Sequence, residues 1–114
     1  MAKLPDETLI NVANLLPRLF QVINLATTTE FNLFEQYGET EETIGELEEL
    51  KNAGERARTL YNRLYALVLQ VAESQPIANR ATLELLYQTI AQALPTADAA
   101  EASVLEIKRS WNLL

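Results

Sequence analysis

The sequence predicts an all-α protein, an antiparallel four-helix bundle with two long N-terminal helices and two shorter C-terminal helices. Three observations support this fold class. Apolar residues recur at spacings of three and four along most of the chain, which is the period of an amphipathic helix. Only 3 glycines and 4 prolines occur among 114 residues, too few for a β fold that turns every ten residues. The stretches between apolar segments are short, so residues 1–114 are expected to form a single helical-bundle domain with neighbouring helices antiparallel.

The first helix is predicted to begin at Pro5 and to end at Gly38, because proline suits the first helical turn and glycine suits the left-handed stop. Pro17 predicts a kink. The threonines at 27–29 have low helix propensity, so a break there is an alternative, with residues 30–37 folding back as a short helix that buries its own aromatics. The apolar positions of the long helix are Leu9, Val12, Leu16, Leu19, Ile23, Ala26, Leu33 and Phe34.

Capping residues and prolines predict the other three helices. Thr40 is a plausible N-cap for a second helix that runs without proline to Ser74. Pro76 is expected to begin the third helix and Pro95 to end it, and Thr96 to cap the fourth. The second helix has a heptad stripe formed by Leu47, Leu50, Gly54, Ala57, Tyr61, Leu64, Val68 and Val71.

The predicted helix lengths suggest an interaction surface. Two helices of about 30 residues would each span about 45 Å, whereas two of about 18 residues would span about 27 Å. The end of the first hairpin, residues 26–50, would therefore be a two-helix structure with apolar side chains that it cannot cover. We expect a second copy of the chain or another helical protein to cover them. The predicted interface consists of Phe31, Leu33, Phe34, Tyr37, Ile44, Leu47 and Leu50.

Composition argues against several classes of function. The chain has no histidine and no cysteine, which excludes histidine acid–base catalysis, thiolate nucleophiles and the usual zinc sites. A net charge of −7 disfavours nucleic acid and anionic membranes as partners. No secretory leader is visible, so a cytoplasmic location is expected. We therefore predict a non-enzymatic interaction module without a cofactor.

A cluster of glutamates supports a second hypothesis from another class. Glu42, Glu46 and Glu49 share one helix face, a spacing that all-helical, metal-dependent phosphohydrolases use to hold magnesium. The same spacing is common on solvated helix surfaces, and no facing pair of carboxylates is evident in the sequence. The metal site therefore stays an alternative to the interaction module.

Other polar and aromatic residues have two interpretations each. Arg56, Arg58 and Arg63 either bind an anion or form ordinary surface pairs, the latter being favoured. Trp111 either anchors a partner or closes the open end of the bundle, again the favoured interpretation. A ligand carrier would need an apolar cavity among Leu60, Leu64, Leu83 and Leu86, or a pocket lined by Tyr61, Tyr65 and Tyr87.

Overall fold

A computed structural model of the chain describes residues 5–113. This part of the chain contains three α-helices, which are α1 (Asp6–Tyr37), α2 (Ile44–Glu73) and α3 (Arg80–Ser110). Each helix contacts the other two, and together they form a rod of 55 × 19 × 17 Å. The prediction of an all-α fold is confirmed. The prediction of four helices is wrong, because one long helix replaces the two shorter C-terminal ones.

Pro95 does not end a helix but lies inside α3. Proline leaves the carbonyl of Ala91 without its helical donor and costs about 3 kcal/mol in a helix interior. Both Pro95 and Ala91 are exposed, so water can bond that carbonyl. The residues after the proline offset this loss of stability because they extend the core: Ala97, Ala100 and Val104 are completely buried.

Helix α1 is likewise continuous through its two disturbing features. Pro17 lies on the exposed face of the helix. Thr29, in the middle of the threonine-rich stretch, is only 2% exposed and occupies a core position. The alternative in which residues 30–37 fold back as a separate helix therefore does not occur.

The core consists of one heptad stripe from each helix, with spacings of mostly three and four residues. In α1 the buried residues are Thr8, Val12, Leu15, Leu19, Val22, Ala26, Thr29 and Leu33. In α2 they are Leu50, Ala53, Ala57, Leu60, Leu64, Leu67 and Val71. In α3 they are Leu83, Leu86, Thr89, Ala93, Ala97, Ala100, Val104 and Ile107. Because α3 has 31 residues, it covers the α1–α2 hairpin along its whole length, and the predicted length mismatch disappears.

The two connections use local hydrogen bonds to define the helix ends. Gly38 has a φ of 72° and donates its N–H to the Phe34 carbonyl, which ends α1. The buried Thr43 hydroxyl donates to the Gly38 carbonyl at 2.8 Å and fixes the start of α2. Asn79 Oδ1 accepts a hydrogen bond from the N–H of Ala81 at 2.7 Å and caps the first turn of α3. The helix therefore begins after Pro76, the residue at which the sequence predicted its start.

Candidate interaction surfaces

The structure divides the seven predicted interface residues into buried and exposed members. Leu33 and Leu50 are 0% and 1% exposed, so they belong to the chain's own core and are out of reach of a partner. Leu47 is half-buried and packs against that core. The exposed members are Phe31, Phe34, Tyr37 and Ile44. The apolar surface at this end of the rod is therefore smaller than predicted.

The same end of the rod is closed by contacts among all three helices. Trp111 Nε1–H donates to Glu46 Oε2 at 3.0 Å. The Tyr37 ring meets the indole edge-on, with ring centroids 4.9 Å apart, and its hydroxyl donates to the Trp111 carbonyl at 3.1 Å. Leu113, just beyond α3, is also buried. Trp111 therefore closes the rod at the Gly38 end, which the predicted four-helix bundle would have left as a bare two-helix hairpin.

The exposed residues Phe34 and Ile44 belong to a longer strip along the seam between α1 and α2. Around the middle of this seam, both helices line a shallow depression of about 180 Å³, and its residues include Thr27 from α1 and Lys51 from α2. Phe34 lies seven residues after Thr27, and Ile44 lies seven residues before Lys51. Residues one heptad apart share an edge of each helix. We call the resulting strip the α1–α2 flank.

A second apolar patch, outside the predicted interface, lies further along the flank. Phe20 lies seven residues before Thr27, and Tyr65 lies seven residues after Arg58, which lines the same depression. The side chains of Phe20 and Tyr65 are 54% and 55% exposed. The same edges of the two helices carry Leu9, Leu16, Tyr61, Val68 and Leu69, all exposed or half-buried. The flank thus has an apolar patch towards each end.

A periodic signal for this patch is present in the sequence. Leu9, Phe20 and Phe31 recur every eleven residues, which corresponds to three turns of a helix and places them on one face. All three are exposed. A search for apolar residues beyond the heptad core would therefore have found the second patch.

The centre of the flank is polar and electrically neutral. Glu30 and Lys51 form an ion pair across the seam at 3.8 Å. Glu55 and Arg58 line the same depression. Two acidic and two basic side chains thus sit between the apolar patches of a chain whose net charge is −7.

Two of the three glutamates of the metal hypothesis have other partners, and the third, Glu42, lies in the turn before α2 and not on its helical face. Glu46 accepts the Trp111 indole N–H, and Glu49 lies 3.5 Å from Arg56 Nη2. Within residues 5–113, no group of three or more histidine, cysteine, aspartate or glutamate side chains is arranged to hold a metal ion. The structure therefore adds no support for the metal-dependent alternative.

The three arginines singled out in the sequence lie on two sides of α2. Arg56 and Arg63 both line a groove between α2 and α3, whereas Arg58 lines the depression between α1 and α2. Surface pairing accounts for Arg56, which meets Glu49. Within the described chain, neither Arg58 nor Arg63 has a carboxylate oxygen within 4.0 Å, so surface pairing accounts for neither of them.

The residues proposed for a ligand pocket do not come together around one cavity. Tyr61 and Tyr65 lie on the flank, whereas Tyr87 is an exposed residue of α3. The four leucines of the carrier hypothesis are core residues that are at most 8% exposed: Leu60, Leu64, Leu83 and Leu86.

Comparisons of this chain with protein-family models, with curated proteins and with solved structures find no match. By length and composition, α1 is apolar enough to cross a membrane, with a mean hydropathy of 1.3 over its most apolar window, of which 28% is buried within the fold. The core helix of a soluble protein passes the same test. Much of the apolar character of α1 therefore lies on its surface, along the flank.

Proposed function

We propose that this chain is a non-enzymatic helical interaction module that associates through the α1–α2 flank, with a second copy of itself as the partner. The observation that carries the proposal is the presence of two exposed apolar patches on one seam. Large exposed apolar patches on a folded surface are typical of interaction sites. Phe20 and Tyr65 represent one patch, and Phe34 and Ile44 the other; all four are at least half exposed.

The arrangement of the patches favours a second copy related by a two-fold axis. Phe20 and Phe34 are fourteen residues apart, which is about 21 Å along the helix, and Thr27 lies midway between them. An axis through Thr27 brings each apolar patch of one copy onto the other patch of its partner, as a self-complementary interface requires. The neutral centre of the flank avoids the repulsion that other faces of a chain with a net charge of −7 would cause.

Light scattering coupled to size exclusion tests the association. The wild type is expected to elute with the mass of a dimer, and Phe34→Glu is expected to yield a folded monomer. Each half-exposed ring is worth up to about 1.5 kcal/mol on burial. The two-fold axis doubles this contribution, so loss of the ring should raise the dissociation constant by up to about a hundredfold, and burial of the glutamate charge adds to this effect. Leu85→Glu is the matched control, because Leu85 is also about half exposed but lies on α3.

Disulfide trapping tests the geometry of the pair. The described chain has no free cysteine, so Thr27→Cys introduces a thiol beside the expected axis, where it meets its own copy. Oxidation should give a covalent dimer with Thr27→Cys and not with Gln92→Cys, which is exposed on α3. A monomeric wild type across concentrations would refute self-association, and a Thr27→Cys protein that stays uncrosslinked in a dimer would refute this axis.

A further inference from the structure

The groove between α2 and α3 concentrates hydrogen-bond donors in an acidic protein. It has a volume of about 570 Å³. Its walls are formed by Asn52, Glu55, Arg56, Thr59, Leu60 and Arg63 from α2 and by Gln92 and Thr96 from α3. Two of the 9 basic residues of the chain line it, and among its lining residues Glu55 is the single carboxylate. The lining residues themselves carry a net charge of +1, and Glu49, which contacts Arg56 from outside the groove, offsets it.

The donors are spaced for a ligand with more than one charged group. Arg56 and Arg63 are seven residues apart, so their Cα atoms are separated by about 10.5 Å along one edge of α2. Thr59 lies between them and supplies a hydroxyl. In the structure the Arg56 side chain reaches towards Glu49, seven residues nearer the start of α2 and away from Arg63. A ligand that contacts both arginines therefore has to span at least their Cα separation, which two linked oxyanion groups do better than a single small anion.

The opposite wall adds uncharged groups that can complete the coordination. Gln92 and Thr96 belong to α3 and face the arginines across the groove. An amide and a hydroxyl donate to anion oxygens without adding charge. Leu60 is 6% exposed and belongs to the core, so it forms an apolar floor.

We infer that the α2–α3 groove binds a small ligand carrying at least two linked oxyanion groups, held between Arg56 and Arg63 with Thr59 between them. Arg56 exchanges its contact with Glu49, which at 3.5 Å is long for a charged pair, for the ligand. Within residues 5–113, Arg63 forms no ion pair that the ligand would have to break. This site lies on a different seam from the α1–α2 flank and does not depend on the proposed self-association, although Glu55 lines both surfaces.

Isothermal titration calorimetry with tripolyphosphate tests the site in the full-length chain, with citrate as the carboxylate counterpart. Both measurements use about 150 mM sodium chloride, which screens diffuse attraction. Saturable one-to-one binding of either probe is expected, at least about tenfold tighter than that of inorganic phosphate or acetate, since a charged hydrogen-bonded contact is worth about 1.5–3 kcal/mol. The stronger probe identifies the class of oxyanion. Absence of saturable binding by both probes would overturn the inference.

Matched variants separate this site from general electrostatic attraction. Arg56→Gln and Arg63→Gln should each weaken binding about tenfold or more, whereas Arg58→Gln removes the same charge on the other side of α2 and should change little. Glu55→Gln should tighten binding more than Glu48→Gln, since Glu48 does not line the groove. Equal weakening by all three arginine variants would overturn the inference. Circular dichroism verifies that each variant is folded.

Discussion

At the scale of single residues, the hydrogen bond between Trp111 and Glu46 closes one end of the rod. Trp111→Phe keeps most of the ring but removes the N–H that donates to the Glu46 carboxylate at 3.0 Å. The free energy of unfolding should fall by about 1.5–3 kcal/mol, the usual value for a hydrogen bond to a charged group. Urea denaturation measures this loss. Tyr37→Phe removes an exposed hydroxyl bond from the same cluster and should cost less than the tryptophan change.

The glycines give two substitutions with opposite expected signs. A Cβ at Gly54 would lie 3.5 Å from the Ala26 Cβ, an ordinary contact, so Gly54→Ala should stabilise the chain by about 0.5–1 kcal/mol through the reduced entropy of the unfolded state. Gly38 has a φ of 72° and a ψ of −172°, a combination that is nearly confined to glycine, so Gly38→Ala should destabilise by about 1–3 kcal/mol. Thermal unfolding compares the two. A loss of stability in Gly54→Ala would mean that α1 and α2 pack too closely to accept a methyl group.

At the scale of helices, the sequence predicted where α1 and α2 end, placed the starts of α2 and α3 three to four residues too early, and missed one continuity. Gly38 ends α1 as expected, and the second helix was predicted to end at Ser74, beside the observed end at Glu73. Pro95 was misjudged because a proline stops a helix mainly where its freed carbonyl is buried, and burial is not visible in local sequence. Its neighbours Ala93 and Ala97 are buried at core spacing, which is the longer-range pattern that favoured one helix.

Replacing Pro95 tests this explanation directly. Pro95→Ala restores the N–H that the Ala91 carbonyl lacks, and should raise the free energy of unfolding by about 1–3 kcal/mol, reduced by the greater freedom of the unfolded chain. Pro17→Ala is the parallel case in α1, since Pro17 is also exposed inside a helix. Chemical denaturation followed by far-UV circular dichroism measures both. A loss of stability in Pro95→Ala would show that α3 depends on the proline.

In α1, half of the predicted core residues lie one position after the residue that is buried in the structure. Val12, Leu19, Ala26 and Leu33 were assigned to the core of α1 and are buried there. Between them, apolar periodicity predicted Leu9, Leu16 and Ile23 as core residues, whereas the buried positions are Thr8, Leu15 and Val22. In most of these neighbouring pairs both residues are apolar, so the apolar stripe of α1 is wider than the face that packs into the core. The surplus forms the α1–α2 flank, and its position relative to α2 and α3 needed the three-helix packing to be known.

At the scale of the whole molecule, the rod separates two surfaces of different chemistry. The α1–α2 flank is apolar towards both ends and neutral at its centre, whereas the α2–α3 groove is donor-rich and contains Arg56 and Arg63. The exposure of the flank accounts for the share of α1 that is apolar without being buried. Because the two surfaces lie on different seams, a partner on the flank leaves the groove open.

Salt should therefore act on the two surfaces in opposite directions. Raising sodium chloride from about 20 mM to about 500 mM shortens the Debye length from about 20 Å to about 4 Å. Two copies with a net charge of −7 repel each other less at the higher concentration, so the dimer dissociation constant should fall several-fold in analytical ultracentrifugation. Tripolyphosphate binding to the groove should weaken over the same range.

Phe34→Glu should remain monomeric at both salt concentrations, which separates specific association from salting out. A wild-type dimer that dissociates on addition of salt would mean that charge pairs, rather than the apolar patches of the flank, hold the two copies together.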